Sequence, residues 1–294
     1  MVKKRHHIVP VHYLKGFTIE LSPEYIWRYE RHNNTPIELN IKNAAVEKYY
    51  YSYQNVDGII DYDSIENYLA EDIENPAVPV INKLRNKQSI DDIEKYRLSK
   101  YMAVMIKRVP KHREKIKRMS PKIFEEERKY LLKIVENALD DYPEKKSLLE
   151  ERRIQINDII DKYKDNLPDE FHVKLINETF TDIIYTMNWR VIYYEGNNPF
   201  ITSDSPCFFF DALGLARENS EVTFPIDRKT AIWAGWTMQE SIRYIYVKEQ
   251  VVKEVNRRTV NNAYRYIYSP VNQDWINGLV NKSKIRLLSI KWSD

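Results

Sequence analysis

The period of hydrophobic and polar positions changes twice along the chain. Residues 1–56 are mixed: Pro10 suits the first turn of a short helix over 11–17, and Tyr25-Ile-Trp-Arg-Tyr-Glu30 alternates as a strand does. From Asp63 to about Met187 the spacing is helical. Ile65, Leu69 and Ile73 recur at every fourth position and so line one helix face, while Asp63-Ser-Ile-Glu66 has the spacing of a capping box. Pro76 and Pro79 predict the end of that helix. Further helices are expected over 91–109, 121–139, 145–163 and 169–185, with prolines at 110, 121, 143 and 168 at their boundaries.

Past residue 187 the pattern turns aromatic and β-branched, which predicts strands over 189–194, 200–203, 207–210, 222–224, 230–235 and 244–247. Residues 195–198 form a hairpin-type turn between two of them. One helix, over 249–264, interrupts the series, with Val251, Val255 and Thr259 spaced as a buried stripe. Segments 266–269 and 285–290 close the chain as strands. The class is α+β: a mixed, largely antiparallel sheet from the N- and C-terminal regions with a helical middle region packed on it. One integrated domain over 1–294 is expected, with sub-regions 1–56, 57–187 and 188–294.

Composition narrows the chemistry. The 294 residues include 22 Tyr but only 6 Gly, and those glycines lie too far apart for a dinucleotide fingerprint, a Walker loop or a nucleophile elbow. The lone Cys207 rules out an internal disulfide framework and paired-thiolate zinc sites. No apolar segment follows the basic start, and no uncharged run approaches the ~20 residues of a membrane helix, so a cytoplasmic protein with no membrane partner is expected.

The net charge is only +3, yet the charges cluster. Residues 57–75 carry acids and no Lys or Arg, whereas 107–118 is basic with Glu114 as its one acid. Either the two stretches are solvated or mutually paired faces, or the basic one meets a polyanion.

Three clusters carry candidate chemistry. In His6-His7-Ile-Val-Pro10-Val-His12, histidines crowd a helix N-terminus, a setting for anion binding, proton transfer or metal ligation. The His-Val-Pro spacing resembles the first half of an HNH nuclease motif, but the glycine-bearing turn and closing histidine are missing, and His32 is the only later candidate. The second cluster, Thr202-Ser203-Asp204-Ser205-Pro206, could hold a phosphate or cation, orient a histidine through Asp204, or satisfy its own backbone.

The third cluster is the acidic helix. Glu66 is expected to serve Asp63 as its capping-box partner and Glu74 to pair with Arg108 or Arg113, although Glu66 and Glu74 with a histidine and Asp204 could hold a divalent metal. Cys207 reads as a buried strand residue. The Tyr49-Tyr50-Tyr51 and Tyr53 run reads as half-buried strand residues or as a base-stacking surface.

The chain resembles the DUF4238 family of mainly microbial proteins. The likeness rests on His7-Ile-Val-Pro10 through Phe17, Ile26-Trp-Arg-Tyr29, Asn43 through Tyr51, Ile65-Glu66 with Glu74, and Arg108-Val-Pro110-Lys-His-Arg113. It continues through Asn188-Trp189, Phe200-Ile-Thr-Ser-Asp204-Ser-Pro206, Phe224-Pro225 and Asn262-Ala-Tyr-Arg265-Tyr-Ile-Tyr-Ser269. The resemblance implies one integrated domain and no settled activity. It places His7, Glu74, Arg108, Asp204 and Asn262 in the family's pattern, with His6 and His12 less typical.

These features lead to the expectation of a hydrolase-like enzyme acting on nucleic acid or nucleotide phosphodiesters, metal-assisted by a divalent ion, with a role in defence or toxicity. His7, Asp204 and Glu74 would be catalytic, and Arg108, Arg113, Ser203 and Asn262 would bind substrate. The alternative is a non-catalytic binding module for an anionic ligand or a partner protein. A structural or assembly role for a tyrosine-rich surface is a third.

Overall fold

The computed structural model describes residues 4–31, 33–54, 59–164, 178–237 and 242–282. A short strand, β1 (Arg5–His7), pairs antiparallel with β4 (Val46–Lys48) and leads through Pro10 into the helical turn α1 (Val11–Leu14). Between them β2 (Tyr25–Glu30) and β3 (Asn33–Asn40) form an antiparallel pair. The run after β4 is a turn, not a strand: Tyr49 adopts a left-handed φ of 56°, and this turn carries Tyr50 and Tyr51 into the core, where neither can stack on a base. A two-residue pair, β5 (Tyr53–Gln54) with β6 (Ile60–Asp61), follows.

The helical middle departs from the proline-based boundaries in two places. The helix that was expected to stop at Pro76 continues as α2 (Ser64–Tyr68), a π-helical stretch Leu69–Glu74 and α3 (Asn75–Arg85). Pro76 occupies the first turn of α3, where its missing N–H costs little, and only Pro79 lies inside. After α4 (Asp92–Lys107), α5 starts at Pro110 and runs to Asp141, straight through Pro121. Proline at 121 deprives the Lys117 carbonyl of its helical donor, and the Ser120 hydroxyl takes that place at 3.0 Å. Helix α6 (Lys146–Lys164) returns antiparallel along α5, tied by Arg128 to Asp161 and Lys164 to Glu125. Of the helix expected over 169–185, α7 (Glu178–Thr186) is observed and its earlier part lies outside the described residues, as does the strand expected over 285–290.

The C-terminal strands are β7 (Asn188–Tyr193), β8 (Thr202–Ser203), β9 (Phe208–Phe209), β10 (Glu221–Pro225), β11 (Thr230–Gly235), β12 (Arg243–Tyr246) and β13 (Tyr266–Ser269). They make two sheets where one was expected. A five-stranded sheet has the order β12-β7-β11-β10-β9, antiparallel except for β12 beside β7, and a four-stranded sheet has the order β3-β2-β13-β8. Strands from both ends of the sequence thus share the second sheet.

Alternation along β11 explains the layering. Ile232 and Ala234 join the large core under the helical middle, while Ala231 and Trp233 point the other way, against Val252 and Val255 of α8 (Glu249–Asn262). Farther along α8, Val260 packs with Tyr29, Ile267 and Ile276 beneath the four-stranded sheet and α9 (Asp274–Lys282). Helix α8 therefore lies against both sheets, and its last turn is anchored where they meet. Among the described residues no helix is long and apolar enough to cross a membrane.

Candidate functional site

Because β1 alternates, His6 and His7 face opposite ways. His6 is fully buried and stacked on Tyr51, with ring centroids 5.5 Å apart. Its Nδ1 accepts the Tyr51 backbone N–H at 2.9 Å, and its Nε2 lies 3.7 Å from Glu66. The His7 ring instead reaches the Lys42 carbonyl at 3.3 Å, and burial lowers its pKa. What His7 presents to the interior is its main-chain carbonyl, which accepts from Arg108 Nη2 at 2.6 Å and from the Tyr51 hydroxyl at 3.3 Å. The ring expected to act as base thus contacts Lys42, with Glu74 and Arg108 in electrostatic range but not hydrogen-bonded to it.

Arg108 stands at the C-cap of α4, buried to 2% exposure. Its Nε donates to the Tyr51 hydroxyl at 2.9 Å, Nη1 to Glu74 at 2.6 Å and Nη2 to the His7 carbonyl. All three nitrogens are engaged by the protein, so in this arrangement Arg108 is a tie between β1 and the helical layer rather than a phosphate clamp. The π-helical stretch ends at Glu74 and sets its angle; such wide turns occur often at functional positions. The other Glu74 oxygen lies 3.6 Å from His12 Nδ1, and the Tyr101 hydroxyl lies 3.2 Å from His12 Nε2. Burial outweighs Glu74 and brings the His12 pKa to about 4, so its ring is neutral at pH 7.

The capping box expected at Asp63 does not form. The Asp61 carboxylate accepts the N–H groups of Asp63 and Ser64 instead, which releases Glu66 to face His6. Atoms of His6, Asp63 and Glu66 lie within 4.8 Å of one another, a spacing a divalent ion could bridge. The Tyr51 amide decides otherwise for this geometry. A neutral imidazole that accepts at Nδ1 carries its proton on Nε2, the atom nearest Glu66, and a ligating histidine needs the reverse arrangement. As folded, the protonated Nε2 lies 3.7 Å from Glu66 Oε2, which is buried and without a hydrogen-bond partner, and the cluster does not offer three open donors.

Asp204 does not orient a histidine. Its oxygens accept the N–H groups of Tyr264, Arg265 and Tyr266 at 2.7–2.8 Å, closing the chain between α8 and β13, and burial pushes its pKa up to about 6 despite those donors. Ser203 is buried, and its hydroxyl accepts the Ser205 N–H at 3.1 Å, the self-satisfying turn that was one of the expected alternatives. Arg113 lies over the Tyr50 ring at 4.7 Å, with Glu47 at 3.5 Å. Burial also raises the Cys207 thiol, which keeps it inert.

Asn262 does reach a cavity. Its amide donates to the Ser205 and Cys207 carbonyls, at 2.7 and 3.0 Å, and its oxygen accepts from Lys111 Nζ at 2.6 Å. Two adjoining hollows meet at this contact. A pocket of about 340 Å³ is lined by Lys111, Phe208, Phe209, Phe210, Asp211, Ala212, Arg257, Arg258, Asn261 and Asn262. A smaller annex of about 40 Å³ adds His112, Lys115, Ser205 and Cys207. The first turn of α5, at Lys111 and His112, carries no acid and has no side-chain cap, so the positive end of a long helix dipole points here.

Burial and the neighbouring Lys115 and Arg31 lower the Lys111 pKa, with Asp211 acting the other way. Arg258 is 1% exposed: Nε donates to Glu254 at 2.9 Å, Nη1 lies 2.8 Å from Glu221, and its guanidinium sits 5.0 Å from the Phe210 ring centroid.

A family model described as a protein of unknown function matches residues 5–271. The chain belongs to the DUF4238 family. Comparison with curated proteins and with solved structures finds no match. Both the Arg108 network and the Lys111 pocket lie within the DUF4238 span.

Of the site residues expected from the sequence of this DUF4238 chain, His7, Glu74 and Arg108 converge on one network. Ser203, Asp204 and Asn262 brace the turn after β8 and the start of β13, Arg113 lies apart on Tyr50, and His32 lies outside the described residues. Sequence reasoning passed over Lys111, His112, Arg257, Arg258 and the Phe208–Phe210 run as pocket residues. One signal was present: Arg258 follows Glu254 by four and Val255 by three, which puts a cation on the buried face of an amphipathic helix.

Proposed function

We propose that this DUF4238 protein is a binding module for an anionic ligand of the nucleotide or nucleic-acid class, received at Lys111. The observation that carries the reading is the Lys111 ammonium, paired with the neutral Asn262 amide at the first turn of α5 and at the mouth shared by two hollows. A cation whose hydrogen-bond partner is neutral, at a helix N-terminus, leaves positive potential for a ligand to fill, while Lys115 beside it is balanced by Asp211 at 2.7 Å. Arg108, fully tied internally, does not compete for that role. The reading goes with a cytoplasmic setting and needs no metal.

Titration of the full chain with pyrophosphate tests it. Saturable one-to-one binding is expected, weakened at least tenfold in Lys111→Ala; equal binding by both proteins refutes it.

A second reading, hydrolysis of a phosphodiester with a role in defence or toxicity, is favoured by one observation. His112 lines the annex beside Lys111 and Lys115, where an imidazole could take up a proton next to a bound phosphate. Turnover of single- or double-stranded substrates that disappears in His112→Ala supports it. Intact substrates after prolonged incubation, with pyrophosphate still bound, leave the binding module alone.

A further inference from the structure

We propose that the ligand carries two linked phosphoryl groups, one for Lys111 and one for Lys115, and that Asp211 holds the second place until the ligand displaces it; this rests on the anion-binding reading above. Lys111 and Lys115 stand four residues apart at the start of α5, on one face of the helix, and both line the annex. Their partners differ in kind. Lys111 meets the neutral Asn262 amide, whereas Lys115 Nζ donates to both oxygens of the Asp211 carboxylate, at 2.7 and 2.8 Å.

The carboxylate presents to Lys115 what a phosphoryl group would, a negative charge with acceptor oxygens. Asp211 lines the annex and the larger pocket alike, so it stands where the two hollows meet. As folded, the annex of about 40 Å³ has room beside Lys115 for a few waters, not for a phosphoryl group as well as the carboxylate. A single phosphate at Lys111 therefore leaves Asp211 in place, and two linked phosphates do not.

Little retains the carboxylate. Among the described residues Lys115 is its one hydrogen-bond partner, and the Asp211 and Lys115 side chains are 47% and 36% exposed. Ion pairs this open to water are weak. Asp211 follows β9 in a turn closed by the Leu213 and Gly214 N–H groups on the Phe210 carbonyl, at 3.0 and 3.1 Å, so its side chain can swing away while the backbone stays fixed. An anion at Lys111 promotes that release: Asp211 is within electrostatic range of Lys111, and a like charge arriving there repels it.

The test is calorimetric titration of the full chain with orthophosphate and with pyrophosphate, repeated for Asp211→Asn and for Asp211→Asn combined with Lys115→Ala. Asp211→Asn should tighten pyrophosphate by about fivefold and orthophosphate by less than about twofold. Adding Lys115→Ala should return pyrophosphate to the parent affinity or below, with orthophosphate again nearly unchanged. A pyrophosphate affinity that Asp211→Asn leaves as it was overturns the displaced carboxylate and leaves the Lys111 site standing. A gain shared equally by orthophosphate overturns the second phosphoryl group. A gain that survives the loss of Lys115 shows Asp211 acting through its field alone and overturns the proposal too. Pyrophosphate bound by none of the three chains overturns the anion site itself.

Discussion

With its three nitrogens tied to Tyr51, Glu74 and the His7 carbonyl, Arg108 is a buried cation whose balance depends on one carboxylate. Glu74→Ala leaves that charge unpaired and is expected to lower stability by about 3–5 kcal/mol in urea unfolding, while pyrophosphate binding by the folded fraction is unchanged. The histidines and Asp204 predict opposing pH effects. His12 has a folded pKa of about 4, below its usual 6.5, so the unfolded chain takes up a proton first and stability falls as pH drops from 6.5 towards 4. Asp204, raised from 3.8 to about 6, works against this: its contribution falls as pH rises from about 4 to 6. His12→Gln should remove the first loss, so that stability measured from pH 7 down to 4 rises relative to the parent.

At this scale the sequence singled out His7 and Glu74 as catalytic and Arg108 and Asn262 as substrate-binding, and it offered Glu74 a pairing with Arg108 or Arg113, of which the Arg108 pair is observed. It could not show that His7 contributes a carbonyl and His6 the inward ring, because alternation says that neighbours diverge and not which of them faces inward.

Among the elements, the π-helical stretch Leu69–Glu74 joins α2 to α3 and sets the angle at which Glu74 meets Arg108. A π-turn amounts to one residue inserted in an α-helix. Deleting Ala70 should restore regular winding, rotate Glu66 and Glu74 out of phase, and cost about as much as Glu74→Ala by urea unfolding. An unchanged midpoint would show that the wide turn is incidental. Strand β2, the strands from β7 to β13 and most helices were legible from their periods, whereas β1, β3, β4, β5, β6 and α9 were not expected. The helix boundaries at Pro76 and Pro121 were misread because proline forbids one hydrogen bond rather than a helix, and a wide turn, a first-turn position or the Ser120 hydroxyl absorbs that loss.

Over the whole molecule, the pocket exists only because α8 lies against both sheets and brings Arg257, Arg258 and Asn262 to the first turn of α5 and to β9. Those parts are separated by up to about 150 residues along the chain, and each has an ordinary local reading: a basic run, a buried strand, an amphipathic helix. Nothing in their spacing encodes the meeting. The same separation explains why Asp204 looked catalytic and Ser203 substrate-binding, since a turn that braces β13 carries the side chains that an anion-binding turn would.

A ligand that fills the hollow should stabilise the folded state alone, so the melting temperature should climb with ligand concentration and Lys111→Ala should abolish the rise. The direct test of the central claim is the titration of parent and Lys111→Ala chains with pyrophosphate near pH 7, alongside urea unfolding of both. The account predicts one-to-one binding at least tenfold weaker in the variant, with unfolding midpoints that coincide. Equal affinities, or no binding by the folded parent chain at millimolar pyrophosphate, would contradict it.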